Sequence, residues 1–194
     1  MNSIQSVCIY CGSAGEVRQS HRDAATALGQ ELAAAGVRLV YGGGRVGMMG
    51  LVAEATLDAG GEVVGVIPHF LDELEVGNNR CTQLIRTGSM HERKSRMAEL
   101  SDGFVVLPGG LGTLDETFEI VTWRQLGLHD KPVIILDVDG YWGPLKNLID
   151  HLVAENYAKP PHGQIFTFVD GVKDVLPALR AAPASTHPID AKWT

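Results

Sequence analysis

Pro108-Gly109-Gly110-Leu111-Gly112-Thr113-Leu114-Asp115-Glu116 follows the apolar run 103–107 and leads into a helical pattern. That order puts glycines, a threonine and a carboxylate at the C-terminal end of a central strand, the edge at which open α/β sheets bind ligands. Glycine lets the backbone approach an anion closely, and a helix that follows aims free N–H groups at it. A second cluster, Gly42-Gly43-Gly44-Arg45-Val46-Gly47, stands in the same setting after residues 37–41. Two such loops in one short chain point to a phosphorylated ligand held between them, with chemistry close by.

Both loops also have a plain reading. Tight strand-to-helix turns use glycine everywhere, and Thr113-x-x-Glu116 fits a capping box, in which the threonine caps the helix and the glutamate closes back on it. Capping and catalysis are compatible, since a cap can hold a carboxylate in place. Neither loop is a Walker A sequence, because no Lys-Ser or Lys-Thr pair follows the glycines. The first strand leads into Gly12-Ser13-Ala14-Gly15, which lacks the Gly-x-Gly-x-x-Gly spacing of a dinucleotide site. A mononucleotide or sugar phosphate is favoured over NAD.

Outward from these loops, short apolar runs alternate with longer helical patterns, the signature of a parallel sheet covered on both faces. Strands are expected at residues 6–10, 37–41, 62–67, 104–107, 132–136 and 165–169. Helices are expected at 20–35, 48–59, 90–100, 114–126, 141–155 and 172–180. Residues 69–89 are the least regular part, with one short strand around 84–86 and the length of a functional loop or lid. The catalytic unit is read as residues 1–180, and 181–194, rich in Ala, Pro, Ser and Thr, as a loose tail.

The 194 residues are enough for one domain with a substantial core, and the 23 glycines suit a nucleotide-binding α/β protein. A net charge of −7 with no long basic stretch argues against a general nucleic-acid or anionic-membrane binder, but leaves room for one small anionic ligand. Residues 1–5 have no signal-peptide pattern and no run reaches transmembrane length, so a cytoplasmic location is expected. The three cysteines make no disulfide framework. Cys8 and Cys11 fall on opposite faces of a strand, leaving Cys81 as the one further thiol, so reduced buried cysteines are expected rather than zinc. No metal ligand set and no cofactor is indicated.

Met90-His91-Glu92-Arg93-Lys94-Ser95-Arg96-Met97 is the other unusual segment. Its cations share roughly one helical face with Met90 and Met97, just before the strand that feeds the glycine loop at Pro108. A solvated helix face carrying a Glu92–Arg96 pair reads equally well from spacing alone.

Together, Gly-Gly-Arg-Val-Gly-Met-Met-Gly at 43–50, Met-His-Glu-Arg-Lys at 90–94 and the 108–116 motif resemble the marks of the LOG, or Lonely Guy, proteins. The resemblance extends over about residues 6–180. These are cytokinin riboside 5′-monophosphate phosphoribohydrolases, many of them first labelled lysine decarboxylases. It implies a Rossmann-like, dimeric enzyme that hydrolyses the N-glycosidic bond of N6-modified AMP to free base and ribose 5-phosphate. By motif, the catalytic pair falls on Arg93 and Glu116. The phosphate loop falls on Gly109, Gly110, Gly112 and Thr113. Gly43 and Gly44 line the nucleotide site, with Met90 and Lys94 near the nucleotide and Gly12 and Ser13 also in contact with substrate. Asp115 stands where many members have glutamate, and Ala14 where a second serine is frequent.

The chemistry suits those roles. Breaking a ribosyl C–N bond builds positive charge on the ribose, which a carboxylate offsets while it orients or deprotonates water. Arginine does not give up its proton at neutral pH, so Arg93 is read as positioning phosphate or hydroxyl groups and holding Glu116. Asp115, His91 and solvent stay open as proton donors to the leaving base. Met90, Met97 and residues 69–89 are candidates for covering an apolar base substituent. The competing readings are a nucleotide-binding protein without turnover and a lysine decarboxylase. The latter finds no recognisable cofactor site at Lys94, Lys131, Lys146, Lys159, Lys173 or Lys192. The dimer is expected to bury the helix within 116–128 through Phe118, Val121, Trp123 and Leu126.

Overall fold

The computed structural model describes residues 3–75, 77–159 and 165–182. Seven strands form one parallel sheet: β1 (Ser6–Tyr10), β2 (Arg38–Tyr41), β3 (Val63–Pro68), β4 (Gln83–Thr87), β5 (Gly103–Val106), β6 (Val133–Leu136) and β7 (Thr167–Val169). Their order across the sheet is β4-β3-β2-β1-β5-β6-β7. The chain thus runs outward from β1 to β4, then returns to β5 on the other side of β1. Strand order reverses there, and the C-terminal ends of β1 and β5 part to leave a crevice.

Every residue of β1, β3, β5 and β6 is buried, as expected of strands covered on both faces. Helices α1 (Gln19–Ala34), α2 (Gly47–Asp58) and α7 (Val172–Ala181) pack on one face with Val7, Ile9 and Cys11. Helices α4 (Met90–Glu99), α5 (Leu111–Gln125) and α6 (Gly143–Ala154) pack on the other with Cys8 and Tyr10. The two-residue period of a strand therefore sends Cys8 and Cys11 to opposite faces, and both are free thiols.

The irregular stretch 69–89 holds more structure than its sequence suggests. Helix α3 (His69–Glu75) comes first, and β4 spans Gln83–Thr87, pairing with β3 from Val64↔Gln83 to Pro68↔Thr87. β4 is an edge strand with partly exposed residues, so it lacks the apolar run that betrays the central strands. Helix α5 starts at Leu111, with Gly110 as its N-cap in extended backbone. Thr113 therefore lies inside the first turn and caps nothing, which corrects the capping box read at Thr113–Glu116. A variant of that box opens α4: the Glu92 N–H donates to the N-cap Ser89 Oγ at 3.1 Å, and Glu92 Oε2 accepts from the N–H of Gly88, one residue before the cap, at 2.7 Å. Glu92 is thus used at the cap rather than in the expected pair with Arg96, which instead meets Glu99 at 3.0 Å. Helix α7 ends at Ala181. The loose tail expected from there on lies, beyond Ala182, outside the described residues.

Candidate active site

Loops from three strand ends interlock at the crevice. The Gly12 N–H donates to Pro108 O at 3.1 Å, and the Met48 N–H donates to Gly12 O at 3.1 Å. These bonds tie the loop after β1 to those after β5 and β2. Between them opens a cleft of about 370 Å³, within the range of small-ligand sites.

The 108–113 loop faces this cleft with bare backbone. A Cβ built on Gly110 or Gly112 would meet nothing within 4 Å, and both residues line the cleft with Thr113. The first N–H groups of α5 have no partner within the helix, so the N-terminus offers donors and positive dipole together. Gly109 is turned the other way. The Thr113 side chain packs on its Cα position, and its carbonyl accepts from Tyr141 Oη at 2.7 Å.

Arg93 enters from α4. Its Nη2 donates to Gly42 O at 2.9 Å and its Nε to Val66 O at 3.2 Å, while Nη1 lies 3.8 Å from the Met90 sulfur. The side chain is buried, and a Cβ on Gly42 would collide with the guanidinium. Among the described residues no carboxylate lies within ion-pairing distance of it. A buried cation held by two carbonyls and a thioether, with the cleft in front of it, is electrostatically fit for an anionic ligand.

Glu116 stands one helical turn into α5 and lines the same cleft. Burial pushes its carboxyl up to about 7; the Arg93 charge opposes this, Asp115 adds to it, Lys94 opposes and Glu119 adds. Arg93 therefore acts on Glu116 through its field, not through the direct hold expected from sequence. The Lys94 ammonium is buried behind the cleft, 3.0 Å from Asp115 Oδ2 and 3.1 Å from Glu119 Oε1. Burial works against its charge, but the hydrogen bonds and charges of these two carboxylates win and raise its pKa.

The expected site residues thus divide. Gly12, Ser13, Met90, Arg93, Gly110, Gly112, Thr113 and Glu116 line one cleft. Gly43, Gly44, Lys94 and Gly109 do not. Gly43 and Gly44 are buried, Gly43 with φ +79 and its carbonyl accepting from the Asn78 N–H at 2.9 Å, and Gly44 bridged to Gly77. Met97 lies fully in the core and takes no part. His91 is exposed and absent from the lining, whereas Asp115 is present. Cys11, Met49, Leu71 and Leu111 also line the cleft and were not picked out as site residues. For Leu71 the signal was its place in the irregular 69–89 stretch. Among the described residues no group of His, Cys, Asp or Glu is placed to hold a metal ion.

Residues 49–179 match the family described as possible lysine decarboxylase. The chain is 46% identical over 175 residues to the cytokinin riboside 5′-monophosphate phosphoribohydrolase LOG5 of Arabidopsis thaliana, covering 90% of this chain and 77% of that one. It is 51% identical over 160 residues to the probable cytokinin riboside 5′-monophosphate phosphoribohydrolase LOGL9 of Oryza sativa subsp. japonica, covering 82% and 70%. The chain belongs to the LOG family.

Among solved structures, the molybdenum cofactor carrier protein of Chlamydomonas reinhardtii superposes with a TM-score of 0.69 at 20% identity, over 90% of this chain and 95% of that one. That likeness concerns the fold alone. The decarboxylase description also meets a chemical obstacle in this LOG-family cleft. A Schiff-base lysine must present a free amine to a cofactor, yet among the described residues no lysine lines the cleft and the nearby Lys94 is held charged by two carboxylates.

Proposed function

We propose that this protein hydrolyses the N-glycosidic bond of N6-modified adenosine 5′-monophosphate, releasing the free base and ribose 5-phosphate. The observation that carries the reading is the pairing in one cleft of a carboxyl with its pKa near 7 and a buried arginine without an ion-pair partner among the described residues. Both stand beside the open helix N-terminus at Gly110–Gly112. Family membership supplies the substrate class.

In this reading the α5 amides and Thr113 receive the 5′-phosphate, with Gly12 and Ser13 across the cleft and Met90 against the nucleoside. Arg93 contributes positive field toward phosphate or hydroxyl groups. Glu116 as carboxylate offsets the charge that develops on the ribose as the C1′–N bond breaks. It also takes a proton from the water that forms the new C1′–O bond, while the departing base nitrogen takes one from solvent or Asp115. A pKa near 7 lets one group both hold and release that proton around neutrality. Gly42, Gly43 and Gly44 act from behind by seating Arg93 and the 77–78 segment, and Lys94 by neutralising Asp115 and Glu119.

Among the described residues no helix is long and apolar enough to cross a membrane; a cytoplasmic location is part of the proposal. The family resemblance further supports a homodimer. Val121, expected at the dimer face, is instead buried in this chain's own core. Leu128, just beyond α5, is 66% exposed, and Phe118, Trp123 and Leu126 are only partly covered, so a second copy has apolar surface to bury there. Sedimentation at micromolar concentration tests this, and a fully active monomer would refute it.

The deciding experiment incubates folded protein with AMP, isopentenyl-AMP and their ribosides and follows free base. Base is expected from the monophosphates, with kcat/KM about 100-fold lower for the ribosides, equivalent to ~3 kcal/mol of lost phosphate contacts. Release from none of them would overturn the enzyme assignment. Saturable AMP binding with intact nucleotide would point instead to a binding protein.

A further inference from the structure

Between β6 and α6 the chain makes a turn that costs conformational energy. Asp139 has φ 54 and Gly140 φ 70, consecutive residues in the left-handed region, the first of them not a glycine. Such backbone persists where surrounding contacts fix it. Here Asp137 Oδ1 accepts from the Trp142 N–H at 2.7 Å and closes the turn. Tyr141 is thrown forward as a result. Its ring is wedged edge-on between His21 of α1 at 5.2 Å and Trp142 at 4.9 Å, both nearly fully buried. Its hydroxyl, clear of that packing, donates to Gly109 O at 2.7 Å.

The geometry of the trans peptide gives this bond a consequence. The C=O and N–H of one planar peptide unit point in opposite directions. Gly109 and Tyr141 share an apolar groove with Phe118 and Leu148, while Gly110 lines the cleft on the other side. A carbonyl pinned toward Tyr141 therefore turns the N–H of the same peptide, that of Gly110, toward the cleft.

We propose that Tyr141 is a positioning residue for the anion-binding loop, its hydroxyl fixing the Gly109–Gly110 peptide so that the Gly110 N–H faces the substrate's 5′-phosphate. The inference rests on the phosphoribohydrolase reading for the identity of the anion. The N–H contact is made to phosphate before and during bond cleavage alike, so its loss raises KM and leaves kcat nearly unchanged.

The test is Tyr141→Phe, which keeps the wedged ring and removes only the hydroxyl. Affinity for ribose 5-phosphate should fall about five- to tenfold, the scale of one hydrogen bond, and KM for AMP should rise by a similar factor. Affinity for adenosine, which lacks the phosphate, should stay within about twofold, a selectivity that a purely structural tether does not produce. Unchanged affinity for ribose 5-phosphate, or equal weakening toward adenosine, would overturn the proposal. The two readings fail separately. A wild type that releases no base but binds ribose 5-phosphate through Tyr141 removes only the catalytic assignment. A wild type that turns over, with the variant's phosphate affinity intact, removes only this one. No binding of ribose 5-phosphate by the wild type would overturn both.

Discussion

The loop after β2 and the loop after β5 flank β1 at the same edge of the sheet, and their sequences read alike: a strand, a run of glycines, a helix. In the fold, Gly110 and Gly112 open onto the cleft with no atom near where a side chain would begin. Gly42 has no such space. Its missing side chain is where the Arg93 guanidinium sits, and its carbonyl accepts from that same group. Gly43, with its positive φ, and Gly44 are turned inward against Asn78 and Gly77. One loop uses glycine to bare its backbone to a ligand, the other to admit a protein cation. Glycine content marks a place where something comes close; it does not say whether that something is a substrate or a side chain.

If the β5 loop is the face of the chemistry, the largest effect lies at its helix. Glu116→Gln should fold normally, still bind AMP and lose at least ~100-fold in base release, as when a charged group acting on the transition state is neutralised. Comparable turnover would remove the Glu116 carboxylate from the chemistry. If the β2 loop works through Arg93, Arg93→Ala should weaken AMP binding and turnover together by about 10- to 100-fold, the range of a lost charge-assisted hydrogen bond. Gly42→Ala should reproduce much of that loss by displacing Arg93, although Gly42 itself is outside the cleft lining. An active Gly42→Ala enzyme would show that Arg93 can be seated in another way.

The pH dependence sharpens the contrast between the two charged groups. Arginine side chains as a class keep their proton near neutrality, whereas Glu116 changes charge near pH 7. Turnover by a carboxylate should therefore fall as pH drops below about 7, by roughly tenfold at pH 6. Stability should move oppositely. The folded-state pKa lies above the ordinary value of 4.5, so the fold binds the proton more tightly than the unfolded chain. This contribution is fully present below pH ~4.5 and is lost as pH rises through about 7. Glu116→Gln should then gain up to about 2 kcal/mol over wild type at pH 8, discounted for solvent in the cleft, with the advantage vanishing in acid. Denaturation curves at the two pH values read this directly.

The central strands were legible because burial on both faces demands continuous apolar runs, and β1, β3, β5 and β6 supply them. β4 was seen only in part, since an edge strand need not be apolar throughout. The capping box shows how a local pattern misleads. Ser89-x-x-Glu92 and Thr113-x-x-Glu116 have the same spacing, yet only the first caps a helix. At the second, Gly110 begins the helix three residues earlier and Thr113 is buried against Gly109. Arg93 and Lys94 were read as one basic group. Neighbours on a helix point about 100° apart, so one reaches the carbonyls of Gly42 and Val66 while the other meets the carboxylates of α5. Which glycines face a ligand is likewise set by packing between distant segments, such as 42 with 93 and 109 with 141, which no local spacing encodes.

The smallest expected effect on stability is the finest test of the contrast between the loops. Gly112 lies in the first turn of α5 and is not among the glycines with positive φ. Alanine there meets no atom and reduces the freedom of the unfolded chain, so Gly112→Ala should leave stability unchanged or raise it by up to ~1 kcal/mol. Its methyl group stands in the lining of the cleft, however, so affinity for ribose 5-phosphate should drop while the protein stays folded. Gly42→Ala should show the reverse balance. Its Cβ forces the buried Arg93 guanidinium from its carbonyl partners, lowering the melting temperature along with activity. Melting curves and ribose 5-phosphate titrations on the two variants separate the cases. Equal melting temperatures with equal losses of affinity would mean that the two loops play one role.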